Sequence, residues 1–171
     1  MKKISNLRDL LVEQLHSLYE TETNLKKSIH RFIDYSDSIQ LGRRLNRYAE
    51  KTKDKIARLE EIFSILNEDR AGHGNDSLDK AMENTKRTIK QIADRSVRDA
   101  AILAKMQRMN HLLICEYGTA CAFARTLDQQ EVARLLHESM FLEKETDNEL
   151  SELAKEEINY KAAKEESFVF I

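Results

Sequence analysis

The stretch LVEQLHSLYETETNLKKSIHRF, residues 11–32, decides how the chain is read. Leu11, Leu15, Leu18, Glu22, Leu25, Ile29 and Phe32 recur at alternating steps of four and three, which puts them on one face of a helix. Every member of that face is apolar except Glu22. A carboxylate on a buried stripe is costly unless something neutralises it. A metal ion, a basic side chain or a proton would each serve, and which of them does so bears directly on what the protein does.

The rest of the chain suits the same kind of element. Among its 171 residues there is no Pro and only four Gly, so nothing breaks long helices. Charged residues make up 34%, the proportion expected of amphipathic helices with solvated outer faces. The formal net charge is −2 with both signs interspersed, which leaves no footprint for nucleic acid or a membrane surface. No apolar run approaches the roughly 18 residues a bilayer span needs. The start, MKKISNLRDLL, lacks the apolar centre of a signal peptide, so the expected location is cytoplasmic. Cys115 and Cys121 fall six residues apart on one predicted helix and therefore on different faces; they are expected to be two buried thiols in a reducing compartment.

Working outward, helix 1 is predicted from about residue 5 to 34, capped by Ser5 or Asn6. The polar turn DYSDS (34–38) makes the next helix, about 39–67, an antiparallel neighbour. Its seam reads Leu41, Leu45, Tyr48, Thr52, Ile56, Leu59, Phe63, Leu66, with Lys51 and Lys55 beside the polar middle. A loop with Gly72 and Gly74 leads to a sparser, more polar helix over Ser77 to about Asp94, read as a crossover on the bundle. Helix 3 is predicted over about 97–127, started by Ser96 with Asp99, with the seam Ile102, Met106, Met109, Leu113, Tyr117, Ala120, Phe123, Leu127 and an acid, Glu116, at its middle. Helix 4, about 129–157 and started by Asp128 with Glu131, carries Val132, Leu135, Leu136, Met140, Leu142, Leu150 and Leu153, interrupted by Glu143, Thr146 and Asp147. Gly118 is expected to permit close helix approach. The fold class is therefore all-α: a four-helix bundle over residues 1–159 with a helical crossover between helices 2 and 3, followed by a tail, 160–171, whose Phe168–Ile171 end is either frayed or, the favoured reading, packed on a partner subunit.

These residues carry a resemblance. DLLVEQLHSLYETE (9–22), RLEEIF (58–63), VRDAA (97–101), EYGT (116–119), ARLL (133–136) and LEKETDNELSELAKEEIN (142–159) resemble, in order and at the right separations, the ferritin-like bacterial proteins of the YciE/YciF type. That is a family of undefined biochemical function linked to stress responses. The resemblance implies a ferritin-like bundle with a carboxylate-rich centre. Glu22 matches the helix 1 acid, and Glu143 and Asp147 match helix 4 acids, although Leu142 stands where a further acid is usual. On helix 2 the family usually has His, Glu and Gln where this chain has Tyr48, Lys51 and Lys55. On helix 3 it usually has Glu where this chain has Asn110 and Leu113, while His111 is kept.

A di-iron carboxylate bundle needs about four acids and two His, with two helices supplying Glu-x-x-His pairs. No such pair stands at the centre here. The remaining candidate ligands are Glu22, Glu116, Glu143, Asp147 and His111, and Lys51 or Lys55 is the expected counter-charge to Glu22 or Glu143. The reading is a lost metal centre with no cofactor, in a non-catalytic structural or stress-associated protein that is a homodimer. The alternatives are a carboxylate-bound iron or manganese protein reacting with oxygen or peroxide, and a helical adaptor. There is no P-loop, HExxH, CxxC or Gly-rich dinucleotide turn, which weighs against an enzyme.

Overall fold

The computed structural model describes residues 4–70 and 87–164, and Lys164 only in its backbone. Four long helices, α1 (Leu7–Tyr35), α2 (Ile39–Leu66), α3 (Arg95–Thr126) and α4 (Gln130–Leu153), account for most of them. Helix α4 runs on through a π-helical turn, Ala154–Ile158, into the short α5, Asn159–Lys164. The described residues contain no strand.

The periodicity of α1 is realised in full. Leu11, Leu15, Leu18, Leu25, Ile29 and Phe32 are buried, and Glu22 is buried among them. Each such apolar side chain contributes about 1.5–3 kcal/mol by leaving water, which together offsets the cost of one enclosed carboxylate. The other helices close the core in a ring: α1 packs on α2 and α3, and α4 packs on α2 and α3. Cross-helix bonds give the directions. Tyr117 reaches Glu22 while Asp99 reaches Asp37 and Ser38, so α1 and α3 are antiparallel. Tyr48 reaches Glu143 and Arg44 reaches Glu149, so α2 and α4 are antiparallel as well. The consecutive helices α2 and α3 are thereby parallel, so the end of α2 and the start of α3 lie at opposite ends of the bundle. Most of the predicted crossover helix, Ser77 to Asp94, lies outside the described residues. Its last turn is helical at 87–91, with Ile89 fully buried on the bundle.

Several local expectations change. Asp94, not Ser96, caps α3, accepting from the Val97 amide at 2.7 Å. Asp99 turns instead to the α1–α2 connection, accepting from the Asp37 and Ser38 amides at 3.0 and 2.8 Å, so a capping-box acid has become a clasp between helices. Asp128 does not cap α4; it takes the left-handed conformation (φ 57°) that ends α3, a position Asp tolerates, and Gln129 precedes α4 without a side-chain cap. The bundle also does not stop at residue 159. The π-turn and the Lys161–Glu157 pair at 2.7 Å carry the helix through the charged run to Lys164. The tail segment Phe168–Ile171 is outside the described residues. Cys121 is buried, but Cys115 is exposed, because its face of α3 looks outward.

Gly118 is not demanded by packing. A Cβ there would meet the Met140 sulfur at 3.5 Å, an ordinary contact, and one at Gly42 would meet nothing within 4 Å. Both glycines lie inside helices with negative φ. Gly118→Ala and Gly42→Ala are therefore each expected to raise stability by about 0.5–1 kcal/mol through reduced unfolded-state freedom. Urea midpoints of the two variants check this, and a loss at Gly118 would restore the close-approach reading.

Candidate functional site

The waist of the bundle holds a polar centre to which all four long helices contribute. On α2 the seam runs Leu41, Leu45, Tyr48, Thr52, Lys55, Leu59, Ile62, Leu66, again in steps of four and three. Lys55 therefore takes the inward position expected of Ile56, which is only half-buried. Glu22 of α1, Lys55 of α2 and Glu143 of α4 are each 0% exposed. The Lys55 ammonium group lies 2.8 Å from Glu22 Oε1 and is in contact with Glu143 Oε1. It also sits 5.1 Å from the centre of the Tyr48 ring.

Neutral donors complete the shell. The Tyr117 hydroxyl donates to Glu22 Oε1 at 2.8 Å, and the Tyr48 hydroxyl donates to Glu143 Oε2 at 2.7 Å. The Asn110 Nδ2 group donates to the Glu143 carbonyl oxygen at 2.8 Å and to Glu143 Oε2. Burial, followed by the charge on Glu22, pushes both phenols well above their ordinary range, which keeps them protonated donors. Burial pulls the Lys55 ammonium below its ordinary value, and the Glu22 carboxylate opposes that pull. An ion pair enclosed like this is a poor source of net stability, yet removing one partner strands the others.

Glu116 lies beside this group. Burial first, and the charge on Glu22 second, raise its carboxyl above the usual range. One oxygen of Glu116 and one of Glu22 are buried without a hydrogen-bond partner, as are Thr52 Oγ1, Arg58 Nη1 and Asn110 Oδ1. The other candidates point elsewhere. His111 and Asp147 bond to each other at 2.7 Å on the outer side of α3 and α4, with the His111 side chain 61% exposed. Lys51 leaves the centre altogether and pairs with Glu149 at 3.2 Å and Glu145 at 3.6 Å, sharing Glu149 with Arg44 and Arg47. Of the seven residues singled out from the sequence, Glu22, Glu143 and Lys55 come together, Glu116 adjoins them, and Asp147, His111 and Lys51 do not.

Among the described residues no group of three or more His, Cys, Asp and Glu is placed to hold a metal ion. The donor set explains this. The two central carboxylates converge on an amine, and an ammonium group both occupies the place of a cation and repels one. The residues present do not fit a two-metal carboxylate centre.

Two contributors stand outside the seven candidates. Asn110, which the resemblance puts at a family Glu position, takes the inward place that the apolar reading gives to Met109; the spacing Met106, Asn110, Leu113, Tyr117 keeps the four-and-three rhythm and marks it. Arg58 follows Lys55 by three residues, close enough to share its face, and its guanidinium lies 3.6 Å from Glu138.

An all-α bundle closed over a lysine held between two glutamates is thus the class that fold and centre define. The chain belongs to the DUF892 family, a domain of unknown function, which matches residues 6–163. It is 25% identical over 160 residues to protein YciF of Escherichia coli, covering 93% of this chain and 96% of that one. Among solved structures it is similar to the E. coli stress protein YciF, with TM-score 0.85 at 25% identity, covering 91% of this chain and 99% of that one. It is also similar to YcfI of Rhodopseudomonas palustris, described as a candidate structural protein, with TM-score 0.83 at 29% identity, covering 88% and 96% of the two chains. A Xanthomonas campestris protein shares the fold, with TM-score 0.77 at 19% identity over 94% and 99% of the two chains.

Two outcomes follow from the centre's electrostatics. Lys55→Met is expected to cost about 3–5 kcal/mol, because Glu22 and Glu143 lose their shared cation, whereas Lys51→Met should cost under about 1 kcal/mol. Denaturant unfolding at neutral pH distinguishes the two. Glu116 has a raised folded-state value, so its contribution is present below pH 4.5, the unfolded value, and lost as pH rises through the folded one. Glu116→Gln should therefore melt higher than the parent at pH 7 and no higher at pH 4.

Proposed function

We propose that this protein is a non-catalytic, ferritin-like helical bundle with a stress-associated or structural role, in which a lysine has replaced the metal at the centre. The observation that carries the reading is the placement of Lys55 between Glu22 and Glu143, all three fully buried. One ammonium supplies the counter-charge that a bundle with a carboxylate core otherwise draws from metal. The relatives' descriptions as a stress protein and a candidate structural protein support the role. A cytoplasmic homodimer belongs to the same reading, supported by large apolar side chains left on the surface, Ile39 at 73% and Phe141 at 55% exposed. No helix among the described residues is long and apolar enough to cross a membrane.

A carboxylate-bound iron or manganese protein remains the competing reading. The unpartnered oxygens of Glu22 and Glu116 favour it, since they leave acceptor capacity beside the ammonium. Elemental analysis of protein purified without chelator decides between them. The lysine-centred reading expects substoichiometric iron and manganese and no rise in melting temperature on adding either ion. A stoichiometric metal, or a melting temperature that climbs with manganese concentration, would overturn it.

A further inference from the structure

The centre also has the parts of an amide-forming reaction. Resting on the reading that Lys55 occupies the core in place of metal, we propose that Lys55 and Glu143 become joined by an isopeptide bond, formed within the folded chain with loss of water. Four features of the geometry support it.

The nucleophile is a lysine amine with no exposed surface, in contact with Glu143 Oε1. Water is excluded, so the uncharged amine is favoured relative to solution. One ammonium and two carboxylates sum to a net negative charge, and a dry centre reaches neutrality by holding one further proton among the three groups. With Glu143 as the protonated carboxyl, Oε1 is its hydroxyl, because Oε2 already accepts from two donors.

Those two donors are the second feature. The Tyr48 hydroxyl, at 2.7 Å, and Asn110 Nδ2 both point at Glu143 Oε2. They polarise the carbonyl and are placed to hold the negative charge that develops on that oxygen when the amine adds to Cδ. The third feature is a base. Glu22 Oε1 lies 2.8 Å from Nζ and is itself held by the Tyr117 hydroxyl at 2.8 Å. The fourth is positional: amine, carboxyl and base come from three different helices locked by a packed core, which replaces an unlikely encounter with a fixed one.

The step balances without any co-reactant. Nζ forms a bond to Glu143 Cδ, and Oε2 takes the electron pair of the carbonyl. Nζ starts as the ammonium and sheds two protons: Glu22 takes the first before the attack, passes it to Oε1, and takes the second after it. The Cδ–Oε1 bond breaks, Oε1 departs as water, Oε2 returns to a carbonyl, and Glu22 is left as a neutral carboxyl, so the centre stays uncharged. The product is a neutral amide tying α2 to α4, and the same exclusion of water protects it from hydrolysis.

Intact mass spectrometry of the full-length protein, purified and then incubated at neutral pH, tests the proposal. The expected mass is that of the sequence less one water, and trypsin should release a branched peptide joining residues 54–58 to residues 135–144. Glu22→Gln, which keeps the shape of the side chain and removes the base, should restore the unmodified mass while circular dichroism still shows a folded helical protein. A parent chain that keeps its full sequence mass would overturn the bond. Loss of ammonia with a bridge from Lys55 to Asn110 would overturn Glu143 as the acyl partner. Stoichiometric metal would remove the lysine-centred reading itself, whereas a metal-free chain of unmodified mass removes only the bond.

Discussion

The structure depends on one enclosed charge balance, the Lys55 ammonium held between the Glu22 and Glu143 carboxylates. Three helices meet at that point, and the fourth supplies Tyr117 and Asn110 as neutral donors. Apolar packing above and below fixes the helices' separation, and the polar centre fixes their register. A slide of α2 by one turn would place Lys51 or Leu59 opposite Glu22, leaving a carboxylate without a cation or a cation without its second acid. Buried polar groups of this kind add little net stability but penalise alternatives heavily. Specificity of register is the property the centre confers.

Topology and centre constrain each other. Because α2 and α3 run parallel, the end of α2 and the start of α3 lie at opposite ends of the bundle. The short α1–α2 connection, by contrast, is fastened closely. The Asp99 carboxylate takes both free amides at the α1–α2 turn, and Arg98 binds the Tyr35 carbonyl at 3.1 Å and Asp37 at 2.5 Å. One end of α3 is thereby locked to α1, which holds Tyr117 in reach of Glu22 several turns away. A clasp at the bundle's end and a hydrogen bond at its waist are two parts of one alignment.

Much of this was legible in the residues. The α1 seam could be written down complete, since seven positions in strict rhythm leave no choice of face, and its single acid forecast a polar centre. The all-α class and the three-connection plan followed from the absence of Pro and the spacing of polar turns. The misplaced residues share a cause: apolarity was used to choose between neighbours, and at a polar centre it chooses wrongly. Ile56 was preferred to Lys55, and Met109 to Asn110, although in both cases the rhythm of the seam favours the polar residue. Lys51 and Lys55 differ by about one turn, and only the packing of α2 against α4 decides which enters the core. Asp147 and His111 likewise looked inward by resemblance to family positions, but they lie on the outer flank, where they satisfy each other.

A metal centre needs acids whose charges exceed those of nearby amines, so that a dication is bound more strongly than protons are. Lys55, lying among the acids, removes one net charge at their point of convergence and fills the volume as well. Asn110 and Leu113, on the facing side of α3, add no further carboxylate to be neutralised. Asn110 is the informative member. It keeps a polar contact to Glu143 while carrying no charge, which is what a shell around an ion pair requires and what a metal ligand set does not. Glu116 is the counter-case, an acid at the margin with one unpartnered buried oxygen. A change of charge is expected to be felt first there.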